Sequence, residues 1–158
     1  MDFENFNDDL TPEEREEQEK AFREKQEKIK KHPLRKKAHE IFKTIHSMLS
    51  GMDEQGKEMV GHRMLESAMI IEAKLAGALG SDMWLICMQN AAIVRQYASE
   101  LLISNHSLEM FTETDESYIR LFRKDMEEFR ELFKEWVTSF EKLDRSEYED
   151  EWGLFIRK

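Results

Sequence analysis

Apolar side chains recur along the chain at the helical step, and most densely over residues 59–103, where two apolar runs meet at Gly80-Ser81-Asp82. In the first run Leu65, Ala68, Leu75 and Leu79 fall at three- and four-residue steps, the spacing that lines one face of a helix. Met64, Ile71 and Ala78 lie beside them, and Met69, Ile70 and Ala76 widen the apolar surface. A helix so apolar around its circumference is expected at the centre of the molecule, touched on more than one side. In the second run Trp84, Cys87, Met88, Ala91, Val94, Ala98, Leu101 and Leu102 share a face. Gly80 is expected to end the first helix in the left-handed conformation, with Ser81 or Asp82 capping the next. So short a connection predicts antiparallel neighbours, an αα-hairpin.

Two further stretches carry the same period. Leu34, Ala38, Ile41, Ile45 and Met48 step by four and three, with Phe42 and Leu49 beside them, up to Gly51. Asp53 can cap a following helix that starts near Glu54, where Gly56 and Gly61 either weaken the first turns or let another backbone approach closely. Toward the C-terminus Ile119, Phe122, Met126, Phe129, Phe133, Trp136, Phe140 and Leu143 alternate steps of three and four, a heptad seam. Its aromatic residues suit a bundle in which Ala68, Ala91 and Ala98 supply the complementary small positions. The predicted fold class is all-α: an antiparallel up-down four-helix bundle with helices over 34–50, 54–79, 83–104 and 115–143. The connection after residue 104 is expected to be packed down by Leu108, Met110 and Phe111.

Residues 1–33 are expected to form an acidic tail and a highly charged helical arm, and residues 34–158 the bundle domain with a C-terminal tail. The tail at residues 1–10 offers only Phe3, Phe6 and Leu10 as anchors. Thr11-Pro12-Glu13-Glu14 is a strong helix start, with a capping threonine, proline at the first helical position and the glutamate of a capping box. Beyond it the arm is polar nearly all round, with Ala21, Phe22 and Ile29 as its apolar contacts, until His32-Pro33 breaks the helix. At the other end Trp152, Leu154, Phe155 and Ile156 follow an acidic stretch. Phe22, Ile29 and these four residues are the candidate interaction residues, docking on the bundle or on another chain.

Composition narrows the function classes. Charged residues make up 37% of the chain and the net charge is −10, which opposes nonspecific binding to nucleic acid or anionic lipid. The charge is uneven: residues 1–19 hold nine acids and one base, residues 20–37 nine bases and two acids. The basic stretch 28–37 is a possible phosphate contact, yet as a solvated face it also neutralises the acidic segment. No apolar run spans a membrane and no basic-then-apolar leader begins the chain, so a cytoplasmic location is expected. The single cysteine, Cys87, excludes an internal disulfide framework and reads as a small buried hydrophobe.

Candidate chemistry is sparse. Glu58 with His62 at four residues, and His39 with His46 at seven, could each supply part of a metal site. With five histidines and 34 acids in the chain, such spacings arise by chance, and no metal or cofactor is called for. Glu127, Glu128 and Glu131 form a Glu-Glu-x-x-Glu run of the kind that holds magnesium, but they lie off the Met126-Phe129-Phe133 seam and toward water. Seven of the ten methionines fall between Met48 and Met88; they read as core filling, an adaptable peptide groove being the alternative. Arg95 projects near Trp84, Met88 and Leu102, so a buried polar pair with Glu66 or Glu72 is expected. The resulting expectation is a non-enzymatic helical interaction or assembly protein that self-associates, through the arm or residues 152–156. The alternatives are a metal- or nucleotide-binding all-α enzyme, and a nucleic-acid accessory protein working through residues 28–37.

Overall fold

Three helix starts follow directly from local chemistry. Thr11 accepts a hydrogen bond from the Glu14 N–H, while the Glu14 carboxylate accepts one from the Thr11 N–H at 2.8 Å, a complete capping box. Asp53 Oδ1 accepts from Gly56 N–H at 2.7 Å, and Asp115 Oδ1 from Ser117 N–H at 2.8 Å. The chain between these signals is helical apart from short breaks at residues 32, 51–53, 80–83 and 112–115. The computed structural model describes residues 10–145 and 152–153.

Its elements are α1 (Pro12–Lys31), α2 (Pro33–Ser50), a single turn α3 (Glu54–Gly56) that passes through a π-helical turn (Lys57–Gly61) into α4 (His62–Leu79), α5 (Trp84–Phe111) and α6 (Glu116–Thr138), which ends in a 3₁₀ turn (Ser139–Lys142). Among the described residues there is no strand, only an isolated bridge between Met83 and Asp144. The break at His32-Pro33 is a helix junction with its own cap. His32 Nδ1 accepts from the Leu34 N–H at 3.2 Å and Pro33 takes the first helical position. Burial pushes the His32 imidazole below its usual value, which favours the neutral ring that can accept this bond.

Helix α2 packs on α4 and α6, α4 on α5, and α5 on α6. They share one core in which Leu34, Ile45, Met64, Leu75, Val94, Leu101 and Phe122 are buried completely. Burying one such side chain contributes roughly 1.5–3 kcal/mol. The aromatic seam of α6 is ordered as a ladder. Phe129 and Phe133 stack at 6.4 Å, Phe133 and Trp136 meet edge-on at 5.8 Å, and Trp136 and Phe140 edge-on at 4.8 Å. Its last rungs return the chain to the start of α5, where Asp144 O accepts from the Trp84 N–H at 3.3 Å and Arg145 lies over the Trp84 ring at 5.2 Å.

Four details depart from the sequence reading. Helix α5 runs on to Phe111 instead of ending at residue 104, because Leu101, Ser104, Asn105 and Leu108 continue its buried stripe. Asn105 holds that stretch against α6, its amide oxygen accepting from Arg123 Nε at 2.8 Å. Gly80 is right-handed (φ −91°, ψ −3°); a Cβ there would meet Lys25 Cε at 3.0 Å and Ile29 Cδ1 at 3.1 Å, so it is the docking of α1 that asks for glycine. Ser81 and Asp82 do not cap α5 from its N-cap position, which Met83 occupies; Ser81 Oγ accepts from Met83 N–H, and the returning chain takes the Trp84 N–H. Gly61 admits side chains and not another backbone: a Cβ would lie 3.1 Å from Leu49 Cγ and 3.2 Å from Met52 Sδ.

Helix α1 contacts α2 and α4. Ile29 is buried there, whereas residues 11–25 are exposed on every side of the helix.

Candidate functional site

Helix α4 is apolar around most of its circumference, and its neighbours cover only part of it. Met64, Ala68, Ile71, Leu75 and Ala78 face the core. Glu72 sits on the α2 side, where Arg35 Nη1 approaches at 3.2 Å and His39 Nδ1 at 2.9 Å. The outward side carries Met59, 48% exposed, and Met69, 56% exposed. Around Met69 lies an open groove of about 460 Å³ lined by His62, Leu65, Glu66, Met69, Ile70 and Ala73. This side of α4 is therefore apolar and open among the described residues. The expectation that α4 is touched on several sides is therefore met on the α2 and α5 sides, and the remaining side is open.

Helix α2 carries a row of three rings. His39 stacks on Phe42 at 6.1 Å and Phe42 meets His46 at 6.3 Å. Both histidines are exposed, and Phe42 is half-buried between them. Their seven-residue spacing places a ring between them instead of an ion. Glu58 and His62 are likewise exposed on the outside of the π-helical turn and α4. Among the described residues no three His, Cys, Asp or Glu side chains converge as metal ligands would.

The buried charge lies elsewhere than expected. Arg95 and Glu66 are both exposed, and Glu72 is already held by Arg35 and His39. Among the described residues no ion pair joins Arg95 to either carboxylate. The reason is angular: α5 centres its buried stripe on Cys87, Val94, Leu101 and Asn105, which leaves Arg95 about a quarter turn away, beside the half-buried Trp84, Met88 and Leu102. The internal ion cluster forms between α2 and α6. Lys37, its side chain 14% exposed, meets Glu128 at 2.6 Å, Asp125 at 3.3 Å and also Glu40. Burial alone would pull the Lys37 ammonium down, but hydrogen bonds to Glu128, Glu40 and Asp125 outweigh it and hold the group well above its usual value. Glu128 is held below the usual carboxylate range, chiefly by its hydrogen bond to Lys37.

The two charges at the centre of this cluster are legible in the sequence, though their pairing is not. Lys37 stands three residues after Leu34 and four before Ile41, and Asp125 three after Phe122 and four before Phe129, so both charges interrupt buried stripes. Of the basic stretch 28–37, Arg35 and Lys37 are thus committed to internal carboxylates, and Lys30 sits 3.7 Å from Glu27. Glu131 pairs with Lys134 at 2.7 Å and Glu128 with Lys37, which leaves no grouped triad from the Glu-Glu-x-x-Glu run.

The remaining candidates are scattered. Phe22 is 62% exposed on the arm and Ile29 is buried beneath it; Trp152 is exposed, while Leu154, Phe155 and Ile156 lie outside the described residues, as do Phe3 and Phe6. Cys87 is buried, with its thiol 3.5 Å from Ala78 O and 3.6 Å from Ser81 O at the end of α4. Burial, reinforced by Asp82, pushes the thiol up, away from nucleophile behaviour. Among the described residues no helix is long and apolar enough to cross a membrane. No protein-family model and no curated protein matches this sequence.

Proposed function

We propose that the protein is a non-enzymatic helical assembly module that self-associates through the outward face of α4. The platform for that face is an antiparallel up-down four-helix bundle made by α2, α4, α5 and α6. The pairwise contacts of α2 with α4 and α6, and of α5 with α4 and α6, support this arrangement. So does the level of Glu72, late in α4, with Arg35 and His39, early in α2.

One observation carries the functional reading: Met69 stands half-exposed over an open apolar groove on a helix whose other sides are core, with Met59 half-exposed on the π-helical turn before it. Leaving such a face in water forgoes the favourable burial that every other apolar side of α4 obtains. The rival classes find less support. Enzyme chemistry needs convergent groups in a water-excluding site, and the candidate ligands are dispersed on exposed helix surfaces. Phosphate binding by residues 28–37 would draw on cations that hold α2 to α4 and α6.

The test is the mass of the full chain in solution. Light scattering should give a multiple of the 18.9 kDa monomer, and Met69→Lys should return it to the monomer without lowering its melting temperature. Phe22→Glu should leave the assembly intact, because the arm is a separate surface. A parent chain that stays at the monomer mass at every concentration refutes the proposal.

A further inference from the structure

Resting on the self-association proposed above, we infer that two copies of this chain lie antiparallel along α4. The twofold axis passes at the level of residue 64, so that His62 and Arg63 of each copy face Glu66 of the other. A twofold interface must be complementary to itself: if one residue meets a second, the second must meet the first. The outward line of α4 runs His62, Glu66, Met69 and Ala73, at alternating steps of four and three opposite the core, with Met59 exposed on the π-helical turn before it. His62, Arg63 and Glu66 are exposed along it.

Placing His62 level with the partner's Glu66 also sets Glu66 level with the partner's His62. The same centre sets Met59 level with the partner's Met69, and the reverse. The charges select this register over its neighbours. Moving the axis to the level of residue 66 brings the two Glu66 carboxylates face to face. Moving it to residue 62 opposes the two His62 rings and sets Glu58 against the partner's Glu66. Like charges facing across a helix pair are destabilising, whereas complementary ones fix register and orientation. Centred at residue 64, the overlap from position 55 to position 73 is about 28 Å long at the α-helical rise, and the flexible Met59 and Met69 side chains fill it.

Charge reversal tests the register. Glu66→Arg leaves the outward line with two arginines and no acid, and His62→Glu/Arg63→Glu leaves it with three acids and no base. All three positions are exposed, and circular dichroism melts establish that each full-length variant is folded. By sedimentation equilibrium each variant alone should dissociate with a constant raised about tenfold or more over the parent. An equimolar mixture should recover a one-to-one heterodimer, visible by native mass spectrometry and weakened by salt. Variants that associate as tightly as the parent would move the contact to another face, overturning this inference and the α4 face proposed above while self-association itself stands. Variants that dissociate alone and fail to recover when mixed would overturn the register. A parent that never associates removes both.

Discussion

Replacing Lys37 by Met tests whether the ion cluster between α2 and α6 holds the fold or merely decorates it. Methionine keeps the length and packing of the lysine stem and removes only the charge. Asp125 then remains 7% exposed without the one cation that reaches it within 4 Å among the described residues. Deleting one member of a buried pair costs about 3–5 kcal/mol. Glu40 and Glu128 are far more exposed and regain water, which places the expected loss near the lower figure, about 3 kcal/mol. For a chain of this size each kcal/mol moves the midpoint by about 2–4 °C, so the melting temperature should fall by about 6–12 °C.

Circular dichroism melts and urea titrations read the loss, and Lys37→Met/Asp125→Leu checks its origin. With both charges gone no carboxylate is stranded, and the double variant should return to within about 1 kcal/mol of the parent. Two linked pH effects follow. The Lys37 value is raised in the folded state, so its contribution is complete below the ordinary lysine value of about 10.4 and fades only as pH climbs through the raised one. The Glu128 value is depressed, so its contribution is complete above the ordinary glutamate value of about 4.3 and fades as pH falls through the depressed one. The gap between parent and Lys37→Met should therefore persist from pH 5 to pH 10 and narrow toward acid. A Lys37→Met chain within 1 kcal/mol of the parent, or single losses that simply add in the double variant, refutes the view that Asp125 depends on Lys37.

Three other outcomes are expected. Thr11→Ala removes the α1 cap, worth about 1 kcal/mol to that helix; because residues 11–25 are exposed, the change should appear as lost far-ultraviolet ellipticity and faster amide exchange in α1 with the core melting temperature unmoved. Glu14 is held below its usual value, first by its backbone and then by its side-chain hydrogen bond with Thr11, so the same arm signal in the parent should be intact above about pH 4.3 and decline as pH falls through the depressed value. Cys87 should react with a thiol reagent at least about a hundredfold slower in the folded chain than in urea, since buried thiols react only on opening; comparable rates would contradict its burial. Gly77→Ala should stabilise by about 0.5–1 kcal/mol, because a Cβ there meets nothing within 4 Å; a lower melting temperature would show that the position is covered.

Periodicity told which parts of the chain are helical and which residues most of them bury, because a helix face is set by near neighbours in sequence. The seam from Ile119 to Phe140 and the stripe from Leu34 to Met48 needed no knowledge of their partners. Pairings between helices are another matter. Asp125 and Lys37 are 88 positions apart, and their meeting depends on the relative rotation of α2 and α6, which no local period encodes. The same gap misdirected Arg95. Set against Trp84 and Leu102 at the edge of the stripe its angle points inward, while the true centre runs through Val94 and Asn105, and Glu72 is paired with Arg35 and His39 of α2. Gly80 likewise looked like a local terminator when the cause was α1 arriving from far upstream. The outward face of α4 shows the limit most clearly. Period analysis finds a buried face by contrast with polar residues, and α4 offers little contrast, since Met69 and Ile70 on its open side are as apolar as Met64 and Ile71 on its closed one. Only the placement of α2 and α5 reveals which apolar side was left over. His62 and Glu66 stood out in the sequence as a metal candidate and as a partner for Arg95. On the folded chain both are exposed on that leftover side, four residues apart, and the self-association proposed above would take its register from them.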